Sequence, residues 1–163
     1  MTITLRPMLP ADAQNLAELF KLSVINLGEE DYSEEQLAAW ADRADLASFD
    51  TQLAGQLTLL AIKNGHLAGF ASLKGKDTLA MIYVHPNFAR QGVATALVEA
   101  LERLAAARGA TTLSVDASET AYPLFLKREY LAMQRNSVPI GDVWIANTTM
   151  VKKLNPPASG TLQ

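Results

Sequence analysis

The chain of 163 residues contains no cysteine, which excludes a disulfide framework, a thiol nucleophile and a cysteine-ligated metal site. Histidine is scarce as well. His66 and His85 lie far apart without ligand spacing, so no metal is expected. No apolar run approaches membrane-spanning length, and the N-terminus lacks the basic-then-apolar pattern of a secretion signal. The expectation is a cytoplasmic protein with no membrane partner. Positive charge is in short supply: the net charge of -3 and pI near 5.4 argue against a general nucleic-acid binder, which needs clustered Lys and Arg. Two familiar phosphate signatures are missing, since neither G-x-x-x-x-G-K-[ST] nor a G-x-G-x-x-G between strand and helix occurs. There is also no linker and no internal repeat. What remains is a chain of 49% hydrophobic residues, enough for one sizeable core.

The most informative segment present is the turn Asn87-Phe-Ala-Arg-Gln-Gly-Val-Ala94, between a strand over Thr78 to Val84 and a helix running to about Arg108. Pro86 removes a backbone donor and biases His85 toward extended backbone, so the chain leaves the sheet there. Gly92 and Ala94 carry no bulk, which lets a ligand approach the backbone while the first N–H groups of the helix stay unpaired. Those donors and the helix dipole favour an anion, and Arg90 adds a planar cationic fork suited to phosphate. The same pattern also serves as a packing glycine in a strand-to-helix turn. Val93, Leu97, Leu101 and Leu104 form the buried stripe of that helix, with Glu99, Glu102 and Arg103 on its other side and Gly109 as its stop.

Other elements follow from local chemistry. Ile3 to Arg6 reads as a strand, and Leu16, Leu19, Phe20, Ser23 and Val24 mark one face of a first helix. Ser33 and Gln36 predict a capping box opening a second helix that carries Leu37 and Trp40. Leu57 to Lys63 and Leu67 to Lys74 flank Asn64-Gly65, which predicts a tight hairpin. Thr112 to Asp116 reads as a strand, and Thr120 to Arg128 as a short helix with Pro123 near its start. Tyr130 to Ile140 and Val143 to Lys152 form a closing hairpin around Gly141-Asp142. This mixed α/β pattern is expected to form one domain over residues 1–154, with 155–163, containing Pro156-Pro157, as a disordered tail.

The stretch Ile82-Tyr-Val-His-Pro-Asn-Phe-Ala-Arg-Gln-Gly-Val-Ala-Thr-Ala-Leu97 resembles motif A of the GCN5-related N-acetyltransferases, Q/R-x-x-G-x-G/A. Gly92 and Ala94 match its last two defined positions, while Ala89 departs from the first. Ile3 to Pro7 with Pro10-Ala-Asp12, and Val115 to Tyr130, fall in family order. Asp31 to Trp40 and Asn147 resemble a YafP-like bacterial branch. The resemblance implies a central, mostly antiparallel sheet of about seven strands flanked by about four helices. It also implies an acetyl-CoA-dependent N-acetyltransferase that passes acetyl directly to an amine, on a small molecule or a protein, in a ternary complex. By the same carry-over, Ile82, Tyr83 and Val84 hold the pantetheine and acetyl group. Arg90, Gln91, Gly92, Val93, Ala94 and Thr95 hold the pyrophosphate, and Ser118 keeps one cofactor contact.

The catalytic groups are less well defined. Many relatives protonate the departing thiolate with a tyrosine on the short helix, but Phe125 stands there, leaving Tyr122 as the substitute on roughly the same face. The acidic residue often found on the fourth strand is replaced by Ala80. Asp31, with Glu29 and Glu30, lies in the loop that covers the acceptor site in this family. Asp31, Tyr32 and Trp40 are the acceptor candidates, each also readable as solvated loop or core. These departures leave a non-catalytic acetyl-CoA or CoA-binding regulatory module as the alternative. Apolar residues in the final hairpin permit a homodimer.

Overall fold

A computed structural model describes residues 2–156; the part of the expected tail from residue 157 onward, and Met1, lie outside the described residues. Seven strands form one sheet: β1 (Ile3–Pro7), β2 (Leu57–Lys63), β3 (His66–Lys74), β4 (Thr78–Val84), β5 (Thr112–Ser118), β6 (Leu131–Ile140) and β7 (Val143–Lys153). Five α-helices accompany them among the described residues: α1 (Ala13–Leu27), α2 (Glu34–Ala41), α3 (Ala47–Gly55), α4 (Val93–Ala107) and α5 (Tyr122–Lys127). The strand order is β1-β2-β3-β4-β5-β7-β6, and every neighbouring pair is antiparallel except β4 with β5. No described helix is long and apolar enough to cross a membrane.

The sheet separates two apolar clusters. One joins α4 and α5 through Leu97, Leu101, Phe125 and Tyr130; the other joins α1, α2 and α3 through Leu16, Phe20, Leu37 and Phe49. The expected face of α1 is the buried one, Leu16, Leu19, Phe20, Ser23 and Val24. Its apolar side chains contribute about 1.5–3 kcal/mol each when fully buried. The expected turns hold for stereochemical reasons. Asn64 and Gly65 take φ of 55° and 77°, the doubly positive geometry of a type I′ hairpin. At the start of α2, Ser33 Oγ accepts from the Gln36 N–H while Gln36 Oε1 accepts from the Ser33 N–H.

The sequence pattern did not mark α3, which buries Phe49 and Leu53 on the α1 cluster. Its short apolar stripe sits among Ser, Asp, Thr and Gln, so its periodicity is weak. Glu102, on the side of α4 away from its apolar stripe, is a hub of contacts: Arg128 donates to it at 2.7 Å, Tyr130 at 2.8 Å and Lys152 at 3.2 Å. These partners arrive from β7 and from the turn between α5 and β6, so helix periodicity alone could not reveal them. In the closing hairpin, Leu131, Met133 and Trp144 remain exposed.

Candidate active site

The site begins with an irregularity in β4. Met81 pairs with Ser72 and Leu79 with Leu73, so Ala80 is an unmatched residue, a β-bulge. Across the bulge the side-chain alternation changes phase. Leu79 joins the α4 cluster and Met81 the α1 cluster, where normal pleating would put both on one face. Pairing between β4 and β5 ends at the same place, being confined to Thr78 with Ser114 and Leu79 with Val115. Beyond it the strands part and leave a gap.

Backbone groups line that gap. The His85 N–H donates to the Ala68 carbonyl at 2.8 Å, which makes 85 with 68 a hydrogen-bonded pair. By antiparallel alternation the next is Tyr83 with Phe70, so the amides of Ile82 and Val84 point away from β3 into the gap. Their side chains pack toward α4, while that of Tyr83 packs toward α1 and α2. Burial pushes the Tyr83 phenol up to about 12, which keeps it neutral at ordinary pH.

At the open end of the gap stands the N-terminus of α4. Gly92 is its N-cap at φ 86° and no side chain caps it. Arg90 also takes a positive φ of 61°. Among the described residues the N–H groups of Gly92, Val93, Ala94 and Thr95 have no hydrogen-bond acceptor. These are the four donors that a helix start leaves free. A Cβ on Gly92 would meet nothing within 4 Å, so it is not a packing glycine. Gly69 of β3 is one: its Cβ would lie 2.9 Å from both the Tyr83 carbonyl oxygen and Val93 Cγ1, where α4 presses on the sheet. The turn itself is held from behind. Lys63 donates to Gln91 Oε1 at 2.8 Å and Gln91 Nε2 to the Asn87 carbonyl at 3.1 Å. His85 Nδ1 accepts from the Asn87 N–H at 3.1 Å, a turn-stabilising role.

Gap and turn together form a cleft of 570 Å³. Of the expected cofactor residues, Ile82, Tyr83, Val84, Arg90, Gly92, Val93, Ala94, Thr95 and Ser118 line it, and of the expected acceptor residues Asp31 and Trp40 do. Three others do not. Gln91 is turned to Lys63. Tyr32 is 8% exposed, its hydroxyl accepting from the Glu119 N–H and donating to the Ala146 carbonyl, both at 2.8 Å. Tyr122 packs half-buried on the α4 cluster, and α5 presents Pro123 and Leu124 to the cleft instead. Phe125 is fully buried against Tyr130. Ser118 Oγ accepts from the Ala121 N–H at 3.1 Å, leaving its own proton free to donate.

The acceptor-side loop is tied down over the cleft, because Thr120 donates to Asp31 Oδ2 at 2.8 Å. Asp31, Glu30 and Glu119 give this end of the cleft a negative wall. Glu119 escaped the sequence reading, since nothing near it marks a site and only the end of β5 carries it there. Its Oε1 lies 2.8 Å from an Arg135 guanidinium nitrogen, close enough for an ion pair but without hydrogen-bond alignment.

A mixed sheet opened between two parallel neighbours, with an uncapped helix start at the mouth, defines an acyltransferase framework. The acetyltransferase (GNAT) domain family matches residues 29–154, and the chain belongs to this family of GCN5-related N-acetyltransferases. An uncharacterized N-acetyltransferase of Escherichia coli, YafP, is 31% identical over 91% of this chain and 94% of its own length. The crystal structure of a GCN5-related N-acetyltransferase from Rhodopseudomonas palustris matches with a TM-score of 0.92 and 53% identity, covering 94% of this chain and 97% of that one. The PaiA N-acetyltransferase of Thermoplasma acidophilum, solved with coenzyme A, shares the fold at a TM-score of 0.77 with 17% identity, over 94% and 99% of the two chains.

Proposed function

We propose that this acetyltransferase moves an acetyl group directly from acetyl-CoA to a primary amine while both are bound, as one domain over residues 1–154. The observation that carries the reading is the pairing of free β4 amides at Ile82 and Val84 with four free N–H groups at the start of α4. The α4 donors and Arg90 suit a pyrophosphate, and the β4 amides suit the amide groups of a pantetheine arm. A relative's complex with coenzyme A supports the choice of cosubstrate.

The chain's own groups then divide the work. Glu30, Asp31 and Glu119 draw a cationic amine into the cleft, where it must lose a proton before its nitrogen can attack. A β4 amide donates to the carbonyl oxygen as negative charge gathers on it. The new C–N bond replaces the C–S bond, and the departing thiolate accepts the proton that the amine gives up. Tyr122 as the source of that proton has no support from its position outside the cleft. The test is thiol release from acetyl-CoA across an amine panel. Tyr122→Phe is expected to keep kcat within about twofold, whereas a loss of about 100-fold would restore tyrosine as the acid.

A further inference from the structure

A second hollow, of 140 Å³, lies on the α1–α3 side of β4. Phe20, Phe49 and Tyr83 supply its apolar walls, and Arg43, Ser48 and Gln52 its polar ones. Trp40 and Tyr83 line both this hollow and the main cleft, so the two spaces share a wall beside β4. Arg43 is the only charged residue lining the hollow, and among the described residues its guanidinium makes no ion pair or hydrogen bond. The nearby Asp45 is taken by Lys21. The Arg43 charge reaches Tyr83, where it opposes the upward push of burial on the phenol.

Resting on the acetyl-transfer reading above, we propose that the hollow is a second anchor for the acceptor, and that the preferred acceptor is an amine that also bears a carboxylate, held by Arg43. A guanidinium fork matches a carboxylate in two parallel hydrogen bonds, and no acidic side chain in the hollow competes for it. The acidic end of the cleft, lined by Glu30, Asp31 and Glu119, and the hollow, lined by Arg43, have opposite signs, while Arg90 stands at the α4 end of the cleft. A bipolar molecule is therefore oriented, with its amine toward the acetyl group and its anion toward Arg43, because the reverse placement brings like charges together. Phe20 and Phe49 give the hollow an apolar wall beside Trp40, which suits an acceptor with an apolar or aromatic body.

The experiment uses glycine, γ-aminobutyrate, phenylalanine and 4-aminobenzoate, each beside its primary amide. Thiol release is measured on wild-type protein, Arg43→Gln and Arg43→Glu. At least one carboxylate is expected to exceed its amide in kcat/KM, with that ratio falling about 10- to 100-fold in Arg43→Gln and further in Arg43→Glu. Binding is read independently in a Trp144→Phe background, where Trp40 is the sole tryptophan, by titrating the same compounds in the presence of CoA and following fluorescence. Saturable binding of a carboxylate, weakened by Arg43→Gln, supports the proposal even without turnover. Equal ratios in wild type and variants, or no carboxylate preference in either readout while acetyl-CoA still binds by calorimetry, overturn it. Failure to bind acetyl-CoA at all would instead overturn the acetyl-transfer reading.

Discussion

Glu129 follows the C-terminus of α5 at φ 70°, a left-handed conformation that costs a residue with a Cβ about 1 kcal/mol. Glu129→Gly is therefore expected to stabilise the fold by about 1 kcal/mol in urea unfolding, with an unchanged slope; a loss of stability would mean that the carboxylate makes a contact of its own. Gln91 illustrates a different residue-scale effect. It faces away from the cleft, yet it is the only hydrogen-bond partner of the Lys63 ammonium among the described residues. Gln91→Ala is expected to cost about 1–3 kcal/mol by leaving that ammonium unpaired. It should also weaken CoA binding by loosening the turn. Normal stability and affinity in the variant would dismiss the clamp. The positive φ values at Asn64 and Gly65 were legible in the Asn-Gly pair. Those at Arg90 and Glu129 were not, since neither residue type signals a left-handed backbone.

Among the elements, α4 is both a structural slab and the proposed anion cradle, and it depends on close contact with β3. Gly69→Ala would place a Cβ 2.9 Å from Val93 Cγ1 and from the Tyr83 carbonyl, pushing α4 and β4 apart. A loss of about 1–3 kcal/mol is expected in thermal or urea unfolding, and a neutral result would show that the contact can relax. The far side of α4 is held by Glu102 with Arg128, Tyr130 and Lys152. Hydrogen bonds from Arg128 and Tyr130 outweigh burial and hold the Glu102 carboxyl below its ordinary value of 4.5. A depressed folded-state pKa gives stability that is fully present above the unfolded value and lost as pH falls through the folded one. Wild type should thus lose stability below about pH 4.5 more steeply than Glu102→Gln, measured by urea unfolding between pH 3 and 6. Parallel pH curves would remove Glu102 from the acid response. Strand and helix periods made α1, α4 and the hairpins readable, but the bulge at Ala80 was not. Alanine carries no turn signal, and the bulge arises only from the register of β4 against β3.

Taken as a whole, the molecule opens its main cleft where the sheet fails to close. The bulge ends pairing between β4 and β5, α4 starts at the resulting mouth, and the loop around Asp31 and Tyr32 is tied across from the other face. Motif A marked the turn that lines the cleft, and at Gly92 the backbone does take the left-handed conformation that favours glycine. The acceptor side was less visible: Trp40 and Asp31 do line the cleft, while Tyr32 is spent on holding the loop and Glu119 enters only through tertiary placement. Calorimetric titration of acetyl-CoA and of CoA into wild-type protein and Gly92→Glu tests the central claim most directly. The side chain of Gly92→Glu would enter the open space before the α4 donors and set a negative charge there. Saturable binding of both ligands to wild type, absent from a variant that retains its circular dichroism, is the expected result. Equal affinity in the two proteins, or no binding to wild type, would contradict the assignment of this turn as the pyrophosphate site.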